Sequence, residues 1–402
     1  MRNLLSTTAL PICLGLMSVL PNAASAATIT GWNTDNVAVA PTPAEGEVGA
    51  SVVYDGDPSD PTSTSSGQIT FAPPEAISPG IQIEPETYTQ SGPDGADIDG
   101  CIMTSNPSAV CTSEFQSGKR FKEQITGLGP VDLVFDVDSS TEVTLYQVFG
   151  RLINVTGQAL SGFTIELGFG VGDDFVAADA TDGISFSTDF AARPTGSGSS
   201  SSQNPFGLFG DASTNPNFLI DGFFASERTG FELEQSATSL SSAEIYGPYA
   251  SLFGDWMTQS DTPTGLFWDF DDDDSTDALL MAWEYEPGLW ELRREAVGFC
   301  DLVDPTFCTP ASTLDSYVSG LDLGALYLAL GLDPSALDVG LIEDLANLNL
   351  NYGIALGDMG GATSFTLRTT VMPAPVPLPA GAPLLLGGLA AFAMARRRKA
   401  RS

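Results

Sequence analysis

The densest chemistry in the sequence is the run Trp268-Asp-Phe-Asp-Asp-Asp-Asp-Ser-Thr-Asp277. Asp269, Asp271, Asp273, Ser275 and Asp277 alternate along it, and carboxylates so spaced, with a hydroxyl among them, supply the oxygens that wrap a hard cation. Calcium is the cofactor they would take. The match to an EF-hand loop is poor: counted from Asp273, position twelve is Glu284, but Ala278 stands where glycine is needed and the frame runs into a predicted strand. A solvated acidic turn is the competing reading, in which the carboxylates repel one another. Sulfur is the second candidate. Cys13 falls in an N-terminal apolar run, which leaves Cys101 with Cys111 and Cys300 with Cys308. An even count in an exported chain favours two disulfides, each closing a short loop.

Other chemistry is excluded by composition. The 402 residues contain no histidine, so no Ser-His or Cys-His nucleophile pair and no imidazole-held metal can form. With 51 acidic residues against 15 basic, no surface remains to neutralise phosphates, and nucleic acid is excluded as a partner. Nothing singles out two carboxylates as a glycosidase pair. Gly168-Phe-Gly-Val-Gly172 departs from the phosphate-loop spacing and precedes Asp173 and Asp174, which repel phosphate. The chain therefore reads as a non-enzyme.

The elements that would carry these residues are mostly strands. Val131–Val137, Phe163–Val171 and Phe365–Val371 alternate apolar and polar residues with the period of a half-buried strand. Val143–Phe149 is apolar on both faces, as a covered central strand or one bent at Gly150 would be, and Asn154–Gly157 is a turn that also fits a glycosylation sequon. Weaker strands are expected at Ser51–Tyr54 and Ile69–Phe71, on either side of a polar loop from Asp57 to Gly67. Leu266–Trp268 is a further strand, and Leu279–Tyr285 and Leu289–Leu292 form a hairpin around Glu286-Pro-Gly288. Its Trp283, Tyr285 and Trp290 either fill a core or form an aromatic platform for sugar. One helix is expected, capped at Asp333-Pro334 and facing inward with Leu341, Ile342, Leu345 and Leu348. Residues 193–204, rich in Ser and Gly, are a long loop or a domain linker. The fold class is mainly β: an antiparallel, jelly-roll-like β-sandwich over 27–372 with a short helical insertion.

Both ends are addresses. Residues 1–26 have the basic start, apolar run and Ala24-Ser-Ala26 site of a secretory signal peptide, and Ile12 before Cys13 argues against lipidation. Residues 373–402 bring a Pro-rich spacer, the motif Val376-Pro377-Leu378-Pro379-Ala380, a marginal transmembrane helix interrupted by Pro383, Gly387 and Gly388, and a basic tail with Arg396, Arg397 and Arg398. Without Arg2 and the five basic residues of the tail, nine basic residues face 51 acidic ones. The body then carries −42, a surface suited to high salt or to cations.

This tail resembles the VPLPA variant of the PEP-CTERM sorting signals. The resemblance implies an exosortase-type sorting protease as partner, a transient inner-membrane anchor, and delivery to the cell surface or extracellular matrix of a Gram-negative bacterium. A permanent inner-membrane anchor is the alternative. The body, through Tyr146–Gly168, Ser51–Asp55, Gln116–Phe121, Asp277–Trp283 and Ile342–Leu350, resembles the choice-of-anchor F family of bacterial ectodomains, from which no activity carries over. The expected function is structural or adhesive. The rival is a calcium-dependent carbohydrate-binding module or hydrolase acting on extracellular polysaccharide.

Overall fold

Wherever the sequence alternates most regularly, a strand forms, and the computed structural model pairs these strands into three sheets. It describes residues 26–89, 97–113, 117–187, 231–245, 256–269, 278–296 and 311–375. Strands are numbered in chain order. The first sheet runs β1 (Thr28–Asn33), β10 (Val131–Asp138), β23 (Ser364–Pro373), β12 (Leu160–Phe169), β16 (Ser239–Ile245) and β15 (Phe231–Gln235), with β13 (Val176–Ala177) beside β12. The second runs β14 (Ile184–Phe186), β22 (Asn347–Leu356), β11 (Thr144–Asn154), β9 (Phe121–Ile125), β4 (Ser65–Phe71), β3 (Gly49–Tyr54) and β2 (Val37–Ala38), joined by β8 (Gly100–Thr104) and β5 (Ile81–Glu84). β6 (Tyr88–Thr89) and β7 (Asp97–Ile98) pair with each other.

These two sheets share one apolar interior, which makes them a sandwich. Leu133 and Phe135 of β10, Phe163 and Ile165 of β12, and Phe365 and Leu367 of β23 belong to the same buried cluster as Ile69 of β4, Val148 and Leu152 of β11, and Leu350 and Ile354 of β22. Phe135 and Phe365 are direct cross-strand partners with ring centroids 5.3 Å apart. Such pairs add to area burial.

β11 is the central strand that its two apolar faces imply, and it runs straight through Gly150 with only Arg151 less than fully buried. Its second face is covered by an excursion of the chain. β8 and β9 lie end to end along one side of β11, pairing with Tyr146–Val148 and with Gly150–Asn154, both in parallel. Between them, residues 105–113 and the 3₁₀ turn Ser117–Lys119 lie off the sheet. Cys111, Cys101, Met103 and Phe149 form the small cluster beneath them. The two parallel pairings depart from a jelly roll, whose strands are antiparallel throughout.

The third sheet is an insertion between β16 and β22. It is antiparallel in the order β20 (Ala311–Leu321), β19 (Leu289–Ala296), β18 (Leu279–Glu286), β17 (Thr264–Trp268) and β21 (Leu337–Leu341). Helix α1 (Leu323–Leu330) covers one face, burying Leu326 and Leu330 against Leu266, Ala282, Trp290 and Leu292. Asp322 caps it by accepting from the Ala325 amide at 2.8 Å, and Gly331, at φ +65, ends it. Trp256 ties the insertion to the sandwich: its indole N–H donates to Ala346 O at 2.7 Å, and its ring meets Phe163 edge-on at 6.4 Å.

The helix expected after Asp333 is not there. Asp333 caps a single 3₁₀ turn, Pro334–Ala336, and Leu337–Leu341 then forms β21 against β17. Ile342 and Leu345 bury their side chains from a turn, and Leu348 belongs to β22. Pairing in β21 satisfies the backbone of Leu337–Leu341, and of the four residues a helical face would have gathered, Ile342, Leu345 and Leu348 are buried while Leu341 stays 48% exposed. The Asp57–Gly67 loop also ends three residues early, where β4 begins at Ser65. Residues 193–204 lie outside the described residues, as does the tail beyond Pro375. Among the described residues no helix is long and apolar enough to cross a membrane.

Candidate functional site

Cys101 and Cys111 are bonded as the sequence indicates, with S–S 2.10 Å and Cα–Cα 5.9 Å. Beside the bridge, Lys119 Nζ donates to Cys111 O at 3.0 Å and Ser113 O at 2.7 Å and lies 4.7 Å above the Phe149 ring. Burial, helped by the nearby Arg120 and opposed by Glu86, lowers its pKa to about 8. The bridge and the amine close the excursion onto β11. Cys300 and Cys308 lie outside the described residues.

Of the acidic run, Asp269 is half-exposed and its amide donates to Ala336 O at 3.1 Å, fixing the end of β17 against the 3₁₀ turn. Asp271, Asp273, Ser275 and Asp277 lie outside the described residues, as do Val376–Ala380 and Arg396–Arg398. Among the described residues no group of three or more His, Cys, Asp or Glu is placed to hold a metal.

The richest polar and aromatic constellation lies on the face of the third sheet opposite α1. Register puts Gly340, Gly265, Trp283, Glu291 and Ser319 in one row across β21, β17, β18, β19 and β20. Cross-strand partners share a face, and so do residues two apart on one strand. Glu291 is the hub. Its Oε1 accepts from Trp283 Nε1 at 3.0 Å and from Arg293 Nε at 2.7 Å, and its Oε2 accepts from Ser319 Oγ at 2.9 Å. The Arg293 guanidinium lies 3.8 Å from the centre of the Tyr317 ring, and Tyr285 meets Trp283 edge-on at 6.1 Å. Partial burial pushes the Glu291 pKa up, but the hydrogen bonds from Trp283, Ser319 and Arg293 outweigh it, and the net shift is downward. The carboxylate is therefore ionised and paired.

The three hairpin aromatics thus divide between the two faces. Trp290 is buried on the α1 side, whereas Trp283 and Tyr285 are half-buried on the other and Tyr317 is exposed. The hairpin register already separates Trp290 from Trp283. Glu291, Arg293 and Ser319 were not singled out in the sequence, although Glu291 and Arg293 stand two apart on a strand beside Trp283.

The sandwich holds polar groups of a different kind. Glu123 projects into the interior from β9, 2% exposed, with the Thr369 hydroxyl donating to its carboxyl and Oε1 without a partner. Burial raises its pKa to about 8, and the nearby Asp132 adds to that. Tyr352, also buried, is pushed upward by burial and then by Glu123. Asp132 faces the other way and takes a two-point ion pair from Arg368, at 2.6 and 2.7 Å. Gly172 closes over that pair: its amide donates to Asp132 Oδ2 at 2.7 Å, and its φ of +56 and a built Cβ only 2.2 Å from Asp55 O admit no side chain.

Comparison of the chain with protein-family models, with curated proteins and with solved structures finds no match. The residues themselves must carry the functional reading.

Proposed function

We propose that the chain is an exported ectodomain of a Gram-negative envelope, delivered by exosortase-type processing of its C-terminal tail, with a structural or adhesive role. One observation carries this reading: the sorting motif begins three residues after Pro373, the end of the last described strand. β23 is held between β10 and β12 and ends at Pro373, and the Ala374 amide makes one more bond, to Ala159 O at 3.0 Å. Val376 follows two residues later, so a cut anywhere in Val376–Ala380 removes none of the strands above. The other end is laid out the same way. Ala27 is fully buried, and β1 begins at Thr28, directly after the expected signal-peptide site. The Cys101–Cys111 bond suits the oxidising side of the inner membrane. A single transmembrane helix between motif and Arg cluster would hold the precursor for the protease.

Intact mass and cell fractionation of the native protein test the proposal. The expected product begins near Ala27, lacks everything beyond the Val376–Ala380 region, and is found in the outer envelope or the medium. An intact tail in the inner membrane overturns sorting and leaves a permanently anchored periplasmic protein.

A further inference from the structure

We propose that strand β21 is a docking edge for a second copy of this chain, which pairs with it antiparallel about Val339 and joins the third sheets of two protomers into one.

Most sheet edges in the molecule are blunted. Among the described residues, the edge strands β1, β15 and β20 carry register shifts, and β2, β5, β13 and β14 are two to four residues long. Shifts and short lengths keep an edge from accepting another chain. β21 has neither defence: its five residues run against β17 in unbroken register.

The hydrogen bonds that flank β21 show which of its groups point away from β17. Asp269 N donates to Ala336 O at 3.1 Å and Ile342 N to Pro263 O at 2.9 Å, both in the register of the strand itself. Bonding alternates along an antiparallel ladder, so Asp338 and Gly340 also bond to β17, while Leu337, Val339 and Leu341 turn their backbone outward. The Leu337 amide is used within the chain, by Pro334 O. The amides of Val339 and Leu341 and the carbonyls of Leu337, Val339 and Leu341 have no partner among the described residues. The three side chains stand on the α1 side of the sheet. Leu337 is buried there in the cluster under the helix, whereas Val339 and Leu341 lie beyond it, 44% and 48% exposed.

A second β21 is the strand that this edge fits. With Val339 set opposite the second copy's Val339, the two valines exchange N–H···O bonds in both directions, and each Leu341 amide meets the other copy's Leu337 carbonyl. The Leu337 amide, already engaged, is the one outward donor left out. In the same register Val339 packs on Val339 and Leu341 on Leu337, which covers the exposed apolar pair and makes the two α1-side clusters continuous. On the other face Asp338 falls opposite Gly340 and not opposite a second carboxylate. The contact is isologous, so it closes at two copies.

Charge makes the contact conditional on salt. Two bodies of −42 repel each other, and a single strand edge falls at the small end of interfaces, so the dimer forms only where that repulsion is screened.

The test is sedimentation of the native exported protein at rising concentration, in low salt and in about 1 M NaCl, where the Debye length is about 3 Å. A monomer–dimer equilibrium is expected in high salt, weakened at least about tenfold in low salt. Val339→Lys, which sets two ammonium groups against each other on the two-fold axis, should abolish the dimer at unchanged melting temperature. Val143→Lys, at a residue 70% exposed elsewhere on the chain, should leave it intact. Val339→Cys should cross-link the dimer on oxidation and Leu341→Cys should not, because the two copies of Leu341 stand at opposite ends of the pairing. A protein that stays monomeric up to about 1 mM in high salt overturns the inference. So does a dimer that Val339→Lys leaves unchanged, that Val143→Lys removes equally, or that Leu341→Cys cross-links as readily as Val339→Cys. The sorting reading is tested by mass and location, so either proposal can fail without the other.

Discussion

The sandwich and the inserted sheet treat their polar groups in opposite ways. In the sandwich two sheets close on each other, and a carboxyl that points between them, Glu123, is cut off from water and held by a hydroxyl. In the third sheet the eight-residue helix covers one face, Leu280, Ile342 and Leu345 cover part of the other, and the carboxylate on that second face, Glu291, is ionised and shared among three donors. The same side chain is thus a buried neutral acid in one region and a half-buried organising anion in the other. Desolvation decides the first case and hydrogen bonding the second. The pH dependence of stability should therefore reside in the sandwich, where the acid is cut off from water.

Glu123→Gln tests this division with the largest expected effect. A carboxyl whose pKa rises from 4.5 to about 8 on folding is bound to its proton more tightly in the native state. Stability is then fully present below pH 4.5, falls as pH rises from 4.5 to 8, and levels off above that. Glutamine keeps the shape and cannot ionise. The variant should match the parent near pH 4.5 and exceed it by about 3 kcal/mol at pH 7, read from urea unfolding across pH. Lys119 acts in a separate window: its pKa falls on folding, so its contribution grows from pH 8 to 10.5 and survives in the variant. A parent whose stability stays flat from pH 5 to 8 would place the carboxyl in contact with water.

Removing the bridge is the next largest change. Cys101→Ser with Cys111→Ser frees a loop of sequence separation 10, worth roughly 2–3 kcal/mol through the unfolded chain. The loss should appear in the sandwich transition and leave the Trp283 and Trp290 fluorescence of the insertion unchanged at temperatures below it. Equal loss of both signals at every temperature would mean that the two regions unfold as one unit and that the contrast is chemical only.

Much of the sandwich was legible because its strands carry their own period. Val131–Val137, Phe163–Val171 and Phe365–Val371 alternate, and alternation is a local signal that survives in any register, although β12 ends at Phe169, short of Val171. The pairing of β17 with β21 was not legible, because it joins residues some seventy apart and competes with a local helical spacing that takes in Leu341. The real helix carries its own marks, Asp322 before and Gly331 after, but its Leu-rich run is apolar on nearly every side and shows no stripe. Glu123 was available to a closer reading: in Phe121-Lys-Glu-Gln-Ile125 it stands on the apolar parity, between two core residues. The network around Glu291 needed the register of three strands, of which only the hairpin could be read.

The smallest predicted effect addresses the cover of the insertion. Asp322 accepts the Ala325 amide at the start of α1, and a helix of eight residues has little propensity to spare. Asp322→Ala should cost about 1 kcal/mol. In the sandwich nothing depends on that cap, whereas Leu326 and Leu330 are the lid over Trp290. Amide exchange should therefore quicken in α1 and in β19 beside it, with β10, β12 and β23 unchanged. The opposite face of the sheet offers a second readout: if its aromatic row is held by the Glu291 network and not by packing from α1, the interaction between Arg293 and Tyr317 should persist in the variant. Loss of that interaction together with the cap would show that the two faces of the sheet are coupled and that the ring positions depend on the helix.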